Sequence, residues 1–360
     1  MSSSGVARLN DLGQSPWYDN LTRALARGGL RDLIDHDGIR GVTSNPTIFE
    51  KAMGSGSDYD EQLRSLTGVP VADAYWALVV DDIRDACDLL ADVHRAADGR
   101  DGHVSVEVSP EFAHDTAATV EQAHDLWRRI DRPNLMIKVP ATIEGLPAIT
   151  ELLASGINVN VTLIFSLDRY RAVLDAHCSG IERLVAAGGA AGSVQSVASF
   201  FVSRVDTETD RRLPESSELR GLAAVANAKL AYADFEAFTA TDRWTRLEAA
   251  GGCVQRPLWA STSTKNPAYS PTLYVDELVG THTVNTLAQA SIDALRDHTG
   301  LRADTVREGV DEASSTIAAL ATAGVDIDDV TATLEREGVA SFTQSYRDAL
   351  ATLDAKRSSL

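Results

Sequence analysis

The stretch LMIKVPATIEGLPAITELLASGINVNVTL, residues 135–163, contains one complete β/α unit and the start of the next. Residues 135–139 form an apolar run typical of a buried strand, and residues 147–154 have the spacing of a helix that begins near a proline. Gly156 is expected to cap this helix before a second strand at residues 157–163. A strand, a helix and a further strand in this order predict a parallel α/β fold.

The same alternation of apolar bursts and helical patterns runs along the rest of the chain without a linker. Eight strands are the number that closes a (β/α)8 TIM barrel, which we expect as a single domain over residues 1–360, with an N-terminal extension and C-terminal helices that cover it. A doubly wound sheet is disfavoured because no G-x-G-x-x-G turn occurs. The predicted strands are residues 17–19, 41–44, 104–108, 135–139, 157–163, 196–202, 254–261 and 273–275.

Composition argues against several classes of function. The formal net charge of -19 argues against a nucleic-acid partner, because binding the phosphate backbone needs a surplus of Lys and Arg. No apolar run approaches the roughly 20 residues of a membrane helix, and residues 1–10 lack the apolar stretch of a signal peptide, so we expect a cytoplasmic protein. The cysteines, Cys87, Cys178 and Cys253, are expected to be reduced thiols, and the histidines lack zinc-binding spacings.

Two predicted strands alternate apolar and polar side chains. In residues 104–108, VSVEV, the valines share one face while Ser105 and Glu107 share the other, and residues 157–163 place Asn160 and Thr162 together in the same way. Parallel strands covered by helices on both sides are normally apolar on both faces. In a barrel the polar face points inward, where function concentrates at the carboxyl ends of the strands. A two-layer sheet with one solvated face is the alternative.

Lys138 is the strongest single candidate for chemistry. Lysine is rarely buried without a partner, yet this one lies within the apolar run 135–140, LMIKVP. Burial disfavours the charged form of an amine and so leaves a free amine that can attack a carbonyl to form a Schiff base. Glu107 and Thr162 are expected on neighbouring polar faces, as a proton carrier and a group that orients it. The alternative is a lysine whose stem packs while its ammonium reaches water.

Five segments resemble the successive motifs of the transaldolases and follow the order of that family. They are residues 41–46 (GVTSNP), 104–108 (VSVEV), 135–140 (LMIKVP), 156–166 (GINVNVTLIFS) and 199–204 (SFFVSR). The resemblance extends from about residue 15 to the C-terminal helices and is greatest to the longer bacterial subfamily. It implies a class I aldolase barrel that needs no cofactor. It also implies transfer of a dihydroxyacetone unit from sedoheptulose 7-phosphate to glyceraldehyde 3-phosphate in the pentose phosphate pathway.

The resemblance implies a role for each matching residue. Lys138 would condense with the C2 ketone of the donor, and Asp19 would assist proton removal during carbon–carbon cleavage. Glu107 would exchange protons through a water held by Thr162. The positions that match substrate-binding residues of the family are Thr43, Asn45, Asn160, Ser199, Phe201 and Arg204.

The chain departs from the family beyond the seventh predicted strand. Many transaldolases have a second phosphate-binding arginine there, whereas this chain reads WASTSTKN at residues 259–266. Lys265 is the candidate substitute, helped by Ser261, and an ordinary loop lysine is the alternative.

Three rival functions remain open at the level of sequence. An aldolase that releases dihydroxyacetone to water is the first, although its group tends to have Tyr where this chain has Phe201. A pyridoxal phosphate enzyme could also use a barrel lysine. A catalytically inactive barrel that binds sugar phosphates would need Arg204 but not Lys138. Oligomeric state stays open between a monomer and a homodimer.

Overall fold

Eight parallel strands close into a barrel in the computed structural model, which describes residues 4–360. Met1 to Ser3, the beginning of the segment considered for a signal peptide, lie outside the described residues. Each strand pairs with the next along the chain, and β8 pairs with β1. In order, the strands are β1 (Gln14–Tyr18), β2 (Gly41–Thr43), β3 (His103–Glu107), β4 (Leu135–Pro140), β5 (Val159–Ile164), β6 (Ser196–Phe201), β7 (Arg256–Ala260) and β8 (Thr283–Leu287).

The predicted (β/α)8 barrel is confirmed, and seven of the predicted strands overlap observed ones. The eighth prediction, residues 273–275, is wrong, because these residues lie in a helix and β8 follows at Thr283–Leu287. In β8, Thr283 and Asn285 are wholly buried and hydrogen-bonded to Gln14 of β1. A polar inward face made this strand resemble a loop in the sequence.

Helices alternate with the strands and surround the barrel. In residues 4–360 they are α1 (Gly5–Asp11), α2 (Leu30–Asp37), α3 (Pro46–Gly54), α4 (Asp60–Ser65), α5 (Val71–Ala96), α6 (Thr116–Ile130), α7 (Gly145–Ala154), α8 (Leu167–Ala186), α9 (Ser203–Arg212), α10 (Ala223–Thr239), α11 (Asp242–Ala249), α12 (Leu273–Glu277), α13 (Gln289–Arg296), α14 (Val310–Thr322) and α15 (Ile327–Ser358). None of them is long and apolar enough to cross a membrane.

The β/α unit predicted from the sequence is confirmed in its order, although the helix begins two residues earlier, at Gly145, and the second strand two residues later, at Val159. β4 leads to α7, whose Pro147 lies in the first turn, and Gly156 follows with a φ of 82°. Only glycine adopts this left-handed conformation without cost, so it turns the chain from α7 toward β5.

Polar side chains bond across the interior of the barrel. The amide of Asn160 on β5 donates to Ser105 Oγ on β3, 3.0 Å away, although β4 lies between these strands. Such a bond can run only through the inside of the barrel, so the polar faces of β3 and β5 point inward as predicted. Barrel closure also removes the alternative of a two-layer sheet.

The long C-terminal helix α15 lies against α3 and α9 and contacts β5. The sequence predicts covering helices here, and the structure confirms them. Because α3, α9 and the end of β5 all stand at the carboxyl end of the barrel, α15 crosses the end at which barrel enzymes place their active sites.

Candidate active site

One cavity opens at the carboxyl end of the barrel, and nine of the twelve predicted site residues line it. These nine residues come from six different strands, the loops directly after them or the start of α9, which explains why they are far apart in the chain. The residues that line the cavity are Asp19, Thr43, Asn45, Lys138, Thr162, Ser199, Phe201, Arg204, Ala260, Ser261, Thr286 and Phe342.

Lys138 and Glu107 form an ion pair beside this cavity. They are register neighbours on β4 and β3, and Lys138 Nζ lies 3.2 Å from Glu107 Oε2. Both side chains are buried, with 6% and 3% of their surface exposed, which excludes a lysine whose ammonium reaches bulk water. Lys138 Nζ also donates to the backbone oxygen of Ser44 at 3.3 Å. The amine is thus held by one hydrogen bond and one ion pair while one side faces the cavity.

The carboxyl of Glu107 is suited to carry a proton. Burial raises its pKa above the ordinary value, while the nearby Lys138 acts in the opposite direction. Although Oε2 is close to Lys138, the angle does not suit a hydrogen bond, and no other group in residues 4–360 donates to that oxygen. A carboxyl that keeps its proton to a higher pH can give and take protons nearer neutrality.

Thr162 presents a buried hydroxyl without a partner. Its Oγ1 is hydrogen-bonded to no other residue of the described chain, and it faces the same cavity as Lys138. The next residue, Leu163, has a φ of 58°, and the pairing of β5 with β6 shifts register around it. A bulge of this kind redirects a side chain, and a left-handed non-glycine residue costs about 1 to 3 kcal/mol. The strain at Leu163 therefore adjoins the hydroxyl that the sequence predicts as functional.

Asp19 and Thr43 meet on the opposite side of the cavity. Asp19 directly follows β1, and its Oδ1 accepts a hydrogen bond from Thr43 Oγ1 at 2.7 Å. Thr43 Oγ1 lies 2.8 Å from Thr286 Oγ1 on β8. The structure thus adds Thr286, which sequence reasoning missed because it did not recognise β8.

Asn160 lies below the cavity and does not line it. Its Oδ1 accepts from Ser199 Oγ at 2.7 Å, and its Nδ2 donates to Ser105 Oγ at 3.0 Å. Both ends of the amide are therefore occupied within the protein. In this arrangement Asn160 orients Ser199, which does line the cavity.

Arg204 supplies a cation to the wall of the cavity. It stands at the start of α9, and its guanidinium lies 5.2 Å from the centre of the Phe201 ring. Burial lowers its pKa, yet an arginine remains charged at neutral pH. With respect to the described residues, the guanidinium has no carboxylate partner within 4.0 Å. It is free to bind a phosphate.

Lys265 is not brought to this cavity. It is exposed, and it lines a separate depression with residues such as Asp210, Arg220 and Tyr269. Ser261, in contrast, follows β7 with a φ of 57° and faces the cavity, where its Oγ lies 2.9 Å from Ser203 Oγ. The two residues predicted to act together are therefore separated in the structure.

Phe342 is the cavity-lining residue that sequence reasoning missed most clearly. It belongs to α15, is 4% exposed, and its ring centre lies 5.7 Å from Lys138 Nζ. Its spacing in the sequence matches any buried position on a helix. Only the packing of α15 across the barrel brings it to the site.

The chain is similar to known proteins over nearly its whole length. Residues 16–353 match the family model described as transaldolase/fructose-6-phosphate aldolase. A transaldolase of Saccharopolyspora erythraea is 51% identical over 358 residues, which covers 98% of this chain and 97% of the relative. A transaldolase of Thermobifida fusca is 52% identical over 355 residues (96% of each chain). A transaldolase of Mycobacterium tuberculosis is 49% identical over 354 residues, covering 96% of this chain and 95% of the relative.

Proposed function

The chain belongs to the transaldolase/fructose-6-phosphate aldolase family and its activity is that of a transaldolase, and on this premise we propose that Lys138 is the amine that carries the dihydroxyacetone unit. The observation that supports this assignment is the position of Lys138 Nζ, which is buried beside a carboxyl and faces a cavity that Arg204 also lines. A sugar phosphate can place its ketone at the amine and its phosphate at Arg204.

The first stage forms a carbon–nitrogen bond. The amine of Lys138 adds to the C2 ketone of the donor ketose phosphate, and the resulting carbinolamine loses water to give a protonated imine. This loss requires a proton on the departing oxygen. We assign that proton transfer to Glu107, acting through a water that the free hydroxyl of Thr162 orients.

The second stage breaks the bond between C3 and C4. Asp19 takes the proton from the C4 hydroxyl, the C3–C4 bonding electrons move into the imine, and an aldose phosphate leaves with a new carbonyl group. The enamine that remains on Lys138 attacks the carbonyl carbon of a second aldose phosphate, whose oxygen receives the proton from Asp19. Hydrolysis of the new imine then releases the product ketose phosphate and restores the amine.

Thr43 has a positioning role in this scheme. Its hydroxyl donates to Asp19 at 2.7 Å and so holds the carboxylate toward the cavity. Asn45, Ser199 and Ser261 line the same cavity and are proposed to bind substrate hydroxyls. Asn160 acts one layer below, by fixing the direction of the Ser199 hydroxyl.

The phosphate group of the substrate is assigned to Arg204. A guanidinium donates two parallel hydrogen bonds to phosphate oxygens, and this one lies against Phe201 without a competing carboxylate among residues 4–360. Lys265 remains a candidate for a second phosphate contact only if the loop that carries it moves toward the cavity when substrate binds. We also propose a cytoplasmic location, supported by three cysteines that form no disulfide with one another.

Replacement of Lys138 by arginine tests the assignment. Arginine keeps the positive charge beside Glu107 but cannot form the imine, so we expect transfer between sugar phosphates to be lost. Lys229 offers a matched control, because it is also buried and paired, with Nζ 2.7 Å from Glu277 Oε2, but stands on α10 away from the cavity. Lys229→Arg should retain transfer. Turnover in a folded Lys138→Arg variant would refute the assignment.

A further inference from the structure

The aromatic ring of Phe342 forms one wall of the cavity next to the proposed reacting atom. Phe342 lines the cavity together with Lys138 and Arg204, and its ring centre lies 5.7 Å from Lys138 Nζ. The side chain offers neither a donor nor an acceptor of hydrogen bonds, in contrast to Thr43, Thr162 and Ser199 on the other walls. No step of the proposed reaction uses this residue.

The helix that carries Phe342 is fixed close to the barrel. At Gly338, one turn earlier, an added Cβ would lie 3.0 Å from Leu163 Cδ2 and 3.8 Å from a guanidinium nitrogen of Arg204. A contact of this length is tighter than most contacts of Cβ atoms, so glycine favours this close approach. Leu163 directly follows Thr162, so α15 supports the strained residue beside that hydroxyl as well as the wall beside the amine.

Polar contacts hold α15 at both ends. Glu335 pairs with Arg169 of α8 at 3.3 Å, and Ser345 Oγ lies 2.7 Å from Thr47 Oγ1 of α3. Near the C-terminus, Lys356 pairs with Asp60 of α4 at 3.0 Å. These contacts place Phe342 at a set distance from Lys138, as a wall that is present before substrate binds.

We propose that Phe342 is a specificity-determining residue that keeps water from the enamine carbon C3, so that this carbon bonds to an aldose phosphate and is not protonated by water. This inference rests on the proposed role of Lys138. It adds a physical reason why the dihydroxyacetone unit is transferred to an aldose phosphate and is not released. Water competes with the acceptor aldose phosphate for the enamine on Lys138. The acceptor forms a bond to C3 of the enamine, whereas water gives a proton to the same carbon.

The competing reaction begins with an event that Phe342 opposes, protonation of C3, whereas its later hydrolysis of the imine at C2 also ends the transfer reaction. A proton must reach C3 of the enamine to regenerate the imine, and a water oxygen must then bond to C2. Collapse of this carbinolamine breaks the bond from C2 to nitrogen, returns the proton to the Lys138 amine and releases dihydroxyacetone. An apolar ring beside the nitrogen leaves a water that could protonate C3 without a hydrogen-bond partner on that side. The ring face also tolerates the positive charge of the protonated imine.

The test is a series of substitutions of Phe342, measured as a ratio of two rates. Each variant is given fructose 6-phosphate alone, where release of dihydroxyacetone is measured, and fructose 6-phosphate with erythrose 4-phosphate, where transfer is measured. For Phe342→Ala we expect the ratio of release to transfer to rise by about tenfold or more, which corresponds to removal of a modest desolvation barrier. Phe342→Leu keeps an apolar wall, so its ratio of release to transfer should stay close to that of the wild type. The ratio for Phe342→Val should lie between those of the Leu and Ala variants.

Leu350 provides the matched control, because it is a partly buried apolar residue of the same helix that does not line the cavity. Leu350→Ala should lower thermal stability without changing the ratio. If Phe342→Ala does not fold, the order of the Leu and Val variants still tests the inference. A ratio that is the same in all folded Phe342 variants would overturn it. Borohydride trapping of each variant separates the two claims, since an intact adduct on Lys138 with an unchanged ratio refutes only the role of Phe342.

Discussion

Replacement of Glu107 by glutamine tests the proton chemistry of the site in the most specific way. Glutamine has the same shape but cannot exchange a proton near neutral pH. Lys138 would keep its contact with the backbone oxygen of Ser44, and Asp19 and Arg204 would keep their positions on other elements. The variant therefore removes one function and leaves the amine, the second carboxylate and the phosphate contact in place.

The expected loss follows from the role of one positioned acid–base group. Such a group contributes about 10²-fold to 10⁴-fold to a rate, or roughly 3 to 5 kcal/mol of barrier. The lower part of this range is expected here, because Thr162 would still hold a water near the imine carbon. We predict that kcat falls by about 10²-fold to 10³-fold. KM should stay within about threefold, because substrate contacts that do not change between ground state and transition state are retained.

The assay is transfer from fructose 6-phosphate to erythrose 4-phosphate, followed at steady state for the wild type and the variant. Glu277→Gln is the matched control, because it removes the carboxylate from the pair formed with buried Lys229, at 2.7 Å, outside the cavity. It should affect stability alone. A folded Glu107→Gln enzyme with a kcat within about threefold of wild type would refute the assignment of Glu107 as a proton carrier.

Further predictions concern phosphate binding and pH. For Arg204→Gln we expect KM for sugar phosphates to rise by about 10-fold to 100-fold, as loss of a charge-assisted hydrogen bond implies. Lys265→Met should raise KM far less, because Lys265 is exposed outside the cavity. Equal effects of the two substitutions in steady-state kinetics would contradict the structure. Burial raises the pKa of Asp206 to about 6, so the folded protein retains this proton while the unfolded chain loses it near pH 4. Wild type should therefore lose about 2 kcal/mol of stability relative to Asp206→Asn as pH rises from 4 to 7. Urea unfolding at both pH values measures this, and a constant difference would exclude the raised pKa.

The parts of the fold that are predictable from the sequence are those with a local signal. β3, β4 and β5 are readable because apolar side chains alternate with polar ones or fill a short run, and Gly156 marks the turn between α7 and β5. β8 was missed because its inward side chains, Thr283 and Asn285, are polar. Both are hydrogen-bonded to Gln14 of β1, far away in the chain, and no local pattern reveals these bonds.

In the candidate site too, residues with a local signal in the sequence were predictable and residues without one were not. Lys138 and Glu107 stand out because charged groups in apolar strands need a physical reason, and parallel pairing makes them neighbours. Phe342 has no such signal, since a buried aromatic residue on a helix is ordinary, and its position depends on contacts with residues far away in the chain. The separation of Lys265 from Ser261 depends on the path of a loop, which composition does not determine.

The identity of the reacting amine is tested most directly by reduction with borohydride in the presence of fructose 6-phosphate, followed by peptide mapping. The account predicts one stable sugar-derived adduct, on Lys138. Lys229, which is buried in another ion pair, should remain unlabelled and so shows that burial alone is insufficient. An adduct on any other lysine, or an active enzyme that forms no adduct, would contradict the central claim.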